Sequence, residues 1–202
     1  MKRNHNCKRC VLSESSHLTT CLMGAGNPNA DLMLIGEAPG FDEDRHGSPF
    51  IGQAGQLLNR VLSSLNIDRD SLYVTNTLKC RPKNNQLPKG KGAVQECVDA
   101  CWPYLEEEIQ SVDPKVILLM GGTSLVTLTG LRMVTRHEGM EIDTIYEGAK
   151  TFVALHPAYV LRSPSKEANL ARAIALAAKA AGIKVRPKSI EEIDPYPYEV
   201  RV

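Results

Sequence analysis

Four short runs along the chain, at 31–35, 72–75, 115–120 and 151–155, are almost uninterrupted in apolar or β-branched residues. Runs of that length without polar alternation predict strands covered on both faces, as in a parallel sheet. Between and after them the period changes. Leu57, Leu58, Val61, Leu62 and Leu65 recur at helical spacing, and Cys97, Cys101, Leu105 and Ile109 step by four through a helix over 93–112. The alanine-rich stretch 166–181 is helical by propensity. Thr123 or Ser124 is placed to cap a further short helix after Gly121-Gly122. Strands alternating with helices predict a three-layer α/β/α domain over residues 1–183, built on a mainly parallel four-stranded sheet. Segment 133–147 is expected to add a short strand or hairpin. Residues 184–202, with Pro187, Pro195 and Pro197, are expected to form an extended tail.

Composition narrows the setting. The chain has 202 residues, enough for one domain with a proper core. No apolar stretch is long enough to cross a bilayer, and the N-terminus lacks the apolar segment of a secretion signal. A cytoplasmic location without a membrane partner is therefore expected. Net charge is +1, so there is no global attraction to nucleic acid. Two basic groups remain, Lys2, Arg3, Lys8 and Arg9, and then Lys79, Arg81, Lys83, Lys89 and Lys91. From charge alone they read as solvated faces before they read as phosphate contacts. The six cysteines say more. In a reducing compartment, thiols point to metal binding or catalysis rather than disulfides. Cys7 and Cys10 form a C-x-x-C pair, and four thiolates would suit iron–sulfur or zinc equally. Cys21 reads as a small buried hydrophobe.

In parallel sheets, ligands gather beyond the carboxyl ends of the strands. Segments 36–55, 76–82 and 156–164 and the turn 121–124 all leave from those ends, and each carries glycine or polar residues. The first of them, GEAPGFDEDRHGSPFIGQAG, either merely connects two elements or holds something against its backbone.

Several separated motifs in order (GEAPG, GSPFIGQAGQLL, LYVTNTLKCRP and HPAYVLRSP) make the chain resemble the family 4 uracil-DNA glycosylases. The opening CKRCVLSESSHLTTC resembles that family's N-terminal segment, and the likeness runs from Cys7 to about Ala181. It implies excision of uracil from single- or double-stranded DNA, an α/β/α fold, a four-iron, four-sulfur cluster, and a protein that acts as a monomer. Such an enzyme must take the base out of the stack. By the resemblance, Phe50 stacks on the flipped uracil, and Asn76 reads O4 and N3–H, a pattern that cytosine reverses. Glu37 orients water or stabilises the sugar cation near C1′, while His156 stabilises the leaving base at O2 with help from backbone N–H groups. Gly36, Ala38 and Gly40 line the base, and Gly40 leaves C5 unfenced. DNA contacts are expected from Gly122 and Thr123 at a helix N-terminus, from Arg162, and from Val160-Leu161 as an apolar wedge.

Cys7, Cys10 and Cys80 are the first three expected cluster ligands. For the fourth, the gap from Cys80 favours Cys97, whereas counting back from Trp102-Pro103-Tyr104-Leu105 favours Cys101. Cys101 is taken, with Lys83 to Lys91 as an expanded loop. No lysine is evident at a place suited to Schiff-base chemistry, so strand cleavage is not expected. The alternatives are a catalytically inactive DNA-binding member, a member that traps the abasic sugar covalently through His137, and a redox iron–sulfur carrier.

Overall fold

The apolar runs are strands at the centre of one sheet, and both faces of that sheet are covered. The computed structural model describes residues 4–15 and 18–187. In chain order these form α1 (Leu12–Ser15), β1 (Ala25–Gly26), β2 (Leu32–Gly36), α2 (Phe41–His46), α3 (Gln53–Ser64), β3 (Tyr73–Asn76) and α4 (Ala93–Val112). There follow β4 (Val116–Met120), α5 (Gly122–Thr129), α6 (Val134–His137), β5 (Glu141–Ile142), β6 (Lys150–Ala154), α7 (Pro157–Arg162) and α8 (Glu167–Ala180).

The sheet runs β1-β3-β2-β4-β6-β5. Its four central strands are mutually parallel, as the unbroken apolar runs predict. The strand count needs correction from four to six, because β1 and β5 add short antiparallel edges of two residues each. Segment 133–147 does hold the expected short strand, β5, whereas the two residues of β1 carry too little pattern to be read from sequence. Alternate residues of each central strand face opposite layers. Leu32, Leu34, Val74, Leu118 and Ala154 meet α3 and α8, whereas Met33, Ile35, Tyr73, Leu119 and Val153 meet α4 and α5. Among the described residues no helix is long and apolar enough to cross a membrane.

Three further expectations change. The chain does not leave the domain at Lys184: Ile183 and Val185 rest on the larger core, and Arg186 N–H donates to the Leu65 carbonyl at 3.0 Å. The rest of the expected tail, 188–202, lies outside the described residues. The N-cap of α5 is Gly121, at a φ of +99°, and Ser124 instead donates its hydroxyl to the Gly121 carbonyl at 3.2 Å. Lys79 and Arg81 do not belong to a solvated basic face, since both are buried.

Candidate active site

The parallel register brings the expected residues to one edge of the sheet. Gly36 and Asn76 are paired at the tips of β2 and β3. Beside them Gly121 N–H, just past β4, donates to the Ala154 carbonyl that ends β6, two residues before His156. A cavity of about 380 Å³ opens there. Glu37, Ala38, Gly40, Phe50, Asn76 and His156 all line it, with Leu161 and Arg162 from α7 at its rim. Leu161 is 38% exposed and Phe41 is 52% exposed, an apolar lip at the mouth. Val160 departs from the wedge expectation: it is buried in the larger core.

Gly36 is the pivot of this arrangement. A Cβ on it would stand 2.5 Å from Phe50 Cζ and 2.6 Å from Asn76 Oδ1, so only a hydrogen there lets ring and amide share the cavity floor. Gly36→Ala must displace one or both. A shift of about an ångström in a positioned group costs on the order of 10²-fold in rate. The variant is therefore expected to fold, with Tm lowered by overpacking, and to lose activity by about that factor. Steady-state kinetics beside a thermal melt checks both.

The acids of the first loop are its internal clamps. Glu43, in the first turn of α2, is buried and accepts three backbone N–H groups. These come from Gly40 (3.1 Å), Ile51 (2.9 Å) and Gly52 (2.8 Å). Asp44 accepts Thr19 N–H at 2.9 Å and lies 4.0 Å from Arg81. With Glu43 drawing both ends of the loop together, Phe50 is held at a φ of +54°, a conformation costly for an aromatic residue and common where function imposes it. Its ring centroid lies 6.0 Å from that of His156, tilted by 38°. No sequence motif above includes a role for Glu43, although an acid three residues after a helix N-cap is a recognisable capping signal.

Two polar atoms in the cavity wall are buried and have no hydrogen-bond partner among the described residues: Asn76 Oδ1 and His156 Nε2. Stranded buried groups are rare and costly, which marks them as groups awaiting a ligand. His156 caps α7, with its Nδ1 accepting Ala158 N–H at 3.2 Å. An accepting Nδ1 in a neutral ring leaves the proton on Nε2, so the free atom is a donor. Neutrality follows from the surroundings: burial, then the nearby charge of Arg162, lowers the His156 pKa to about 4. Glu37, on the loop after β2, accepts the Thr123 hydroxyl at 2.6 Å. Thr123 thus presents its side chain to the candidate catalytic carboxylate, while Gly122 opens α5 beside it.

A donor at His156, an acceptor at Asn76, an aromatic face and a tethered carboxylate suit a flat heterocycle with an N–H flanked by carbonyls. A family model described as the Uracil DNA glycosylase superfamily matches residues 23–178. The chain belongs to that superfamily. Within it, the chain is 35% identical over 166 residues to the type-4 uracil-DNA glycosylase of Archaeoglobus fulgidus, covering 79% of this chain and 80% of that one. It is 36% identical over 179 residues to the type-4 enzyme of Pyrobaculum aerophilum, covering 85% and 87%. With the type-4 enzyme of Thermotoga maritima it shares 36% over 170 residues, covering 82% and 83%.

The cluster expected from the resemblance needs a thiolate set, and the donors that lie together here are all cysteine sulfur. Cys80, Cys97 and Cys101 are buried beside Leu12 and Leu78, with Cys10 packed against them. Tyr104 donates its hydroxyl to Cys7 Sγ at 3.7 Å. Hydrogen bonding, first from Cys101, lowers the Cys10 pKa to about 6, whereas burial pushes Cys80 up to about 12 and Cys97 up to about 11. Backbone N–H groups already point at sulfur: Cys21 N–H meets Cys80 Sγ at 3.2 Å, and Lys79 N–H meets Cys101 Sγ at 3.4 Å. Such bonds favour a thiolate and orient it as a ligand. Among the described residues no three metal-binding side chains are already set around a single ion. The all-sulfur donors fit an iron–sulfur cluster in kind. Cys97 and Cys101 both contact Cys10. The same segment also holds the first loop, because Thr77 N–H and Leu78 N–H donate to the Gly36 and Glu37 carbonyls at 3.0 and 2.9 Å.

Proposed function

We propose that this protein hydrolyses the N-glycosidic bond of uracil in DNA, as a monofunctional glycosylase acting on an extruded nucleotide. The observation that carries this reading is the pair of buried, unpartnered atoms, Asn76 Oδ1 and His156 Nε2, facing one cavity. Uracil offers them N3–H and O2. The Asn76 amide nitrogen then donates to O4, so the reader takes both features that distinguish uracil from cytosine. Phe50 supplies the stacking face. Gly36, at the tip of β2, and Ala38 and Gly40, on the loop from Glu37 to Phe50, let the backbone approach the base.

As the C1′–N1 bond breaks, its electron pair leaves with the base and negative charge builds on O2. The neutral His156 donates from Nε2 to that oxygen, and as a neutral group it arrives without the cost of burying a full charge. The sugar becomes cationic at C1′. Glu37, fixed by the Thr123 hydroxyl, stabilises that cation and orients the water whose oxygen bonds to C1′. The attacking water loses one proton to bulk solvent, leaving a hydroxyl on C1′, and the departing uracil anion takes up one proton from bulk solvent, which balances the step. Leu161 and Phe41 cover the place the base has left, and Arg162 and the N-terminus of α5 at Gly122 and Thr123 meet backbone phosphate. A cluster held by Cys7, Cys10, Cys80 and Cys101 would act structurally, bracing the segment that positions Asn76. The protein is read as monomeric and cytoplasmic.

The test is release of free base from oligonucleotides carrying a single uracil, cytosine or thymine, followed by alkali to reveal abasic sites. Uracil release without strand cleavage before alkali is the expected result. Holoprotein that binds uracil-containing DNA and releases nothing refutes the enzymatic reading.

A further inference from the structure

The most deeply buried charges among the described residues are far from obvious candidates for chemistry. Lys79 and Glu108 are both wholly inaccessible to solvent. Glu108 lies on α4, and its carboxylate accepts from Lys79 Nζ, from the Thr75 hydroxyl (2.7 Å), from the Tyr73 hydroxyl (3.2 Å) and from Gly24 N–H. Lys79 Nζ also donates to Thr75 Oγ1 at 2.9 Å and to the backbone carbonyl of Asn76 at 2.7 Å. An ammonium has three donors, and all three are used. A buried ion pair is a poor source of stability, since apolar residues of similar size commonly do as well. Stability alone therefore does not explain it. Its distinctive contact is the Asn76 carbonyl, where β3 ends and a short polar side chain must stand at a fixed angle in the cavity.

We propose that the Lys79–Glu108 pair is a positioning device for Asn76, aiming its carboxamide at the base by locking its peptide. The ammonium fixes the carbonyl, Glu108 and Thr75 fix the ammonium, and Lys79 N–H ties the same residue to Cys101 Sγ. A load on the cysteine segment is thereby carried to the base reader through one side chain. This inference rests on Asn76 acting as the uracil reader.

The test uses holoprotein with Lys79→Met/Glu108→Gln, which removes both charges while the amide oxygen can still accept from Gly24 and Tyr73 and the amide nitrogen can donate to the Thr75 hydroxyl oxygen. The cluster's visible absorbance and the melting transition report whether the fold is kept. The value of kcat/KM for uracil release is expected to fall roughly tenfold, the order of one weakened neutral hydrogen bond. Affinity for DNA without uracil is expected to stay as it was. The deciding readout is a double-mutant cycle with Asn76→Ala: in that background the pair's removal should cost nothing further, because the group it aims is gone. Full additivity, or an unchanged kcat/KM, overturns the proposal. If the double variant does not fold, Thr75→Val takes one partner from the ammonium without stranding a charge. It should give a smaller loss with the same non-additivity, and additivity there also overturns the proposal. Wild-type holoprotein that releases no uracil removes the premise, whereas normal wild-type release with an unaffected variant removes only the positioning role.

Discussion

Replacing Asn76 with alanine is expected to lower kcat/KM for uracil release by roughly 10³-fold or more, about 4 kcal/mol of transition-state binding. The size follows from the setting. Uracil's N3–H and O4 would enter a buried wall and find no partner, and an unmet polar group in such a place costs far more than a formed bond gains. Stability should move the other way. Asn76 Oδ1 has no partner among the described residues, so the resting protein carries the cost of burying it. Removing the amide should leave Tm unchanged or raise it, the usual exchange between an active site and stability. A melt and a release assay on the same preparation check the two halves. A variant that loses activity because it is unstable would argue that Asn76 is an ordinary strand-end residue.

The second large effect concerns His156. His156→Ala is expected to reduce kcat by roughly 10²- to 10³-fold with a smaller change in KM, the pattern for a donor that works mainly on developing charge. The pH profile of the wild type discriminates further. With its pKa lowered to about 4, His156 stays neutral through the range where an ordinary imidazole titrates near 6.5. Activity should therefore show no inflection near pH 6.5 on its acid side. Stability carries the same signature with a definite sign. Between about pH 6.5 and about pH 4 the unfolded chain binds a proton at His156 and the folded chain does not. Stability thus falls as pH falls through that window, by about 3 kcal/mol at most. His156→Ala should flatten that slope in denaturant titrations at several pH values. An unaltered slope would mean that His156 is already charged in the folded protein.

What the sequence reveals here follows from how locally each feature is determined. The central strands are legible because a segment buried on both faces must be apolar along its whole length. The strand tips are legible because a parallel sheet gathers them at one edge, which is why Glu37, Phe50, Asn76 and His156 share a cavity. Glu43 is harder to read because it stands among Asp42, Asp44 and Arg45, a run that resembles a solvated loop. Only the fold shows three N–H groups converging on its carboxylate. Thr123 is ambiguous for another reason: a hydroxyl at a helix start suits a phosphate in principle, and the structure gives it a carboxylate at 2.6 Å. Lys79 and Glu108 are the least legible, being charged residues 29 positions apart that sequence rules assign to the surface. No periodicity announces a buried charge, because its partner comes from another element.

The central claim is that strand-tip loops form a receptacle for a single pyrimidine. The most direct measurement is a crystal structure of the holoprotein with free uracil. The account predicts the base lying against Phe50, with N3–H toward Asn76 Oδ1 and O2 toward His156 Nε2. An empty cavity at saturating uracil, or uracil seated with those two atoms still unpartnered, would contradict it.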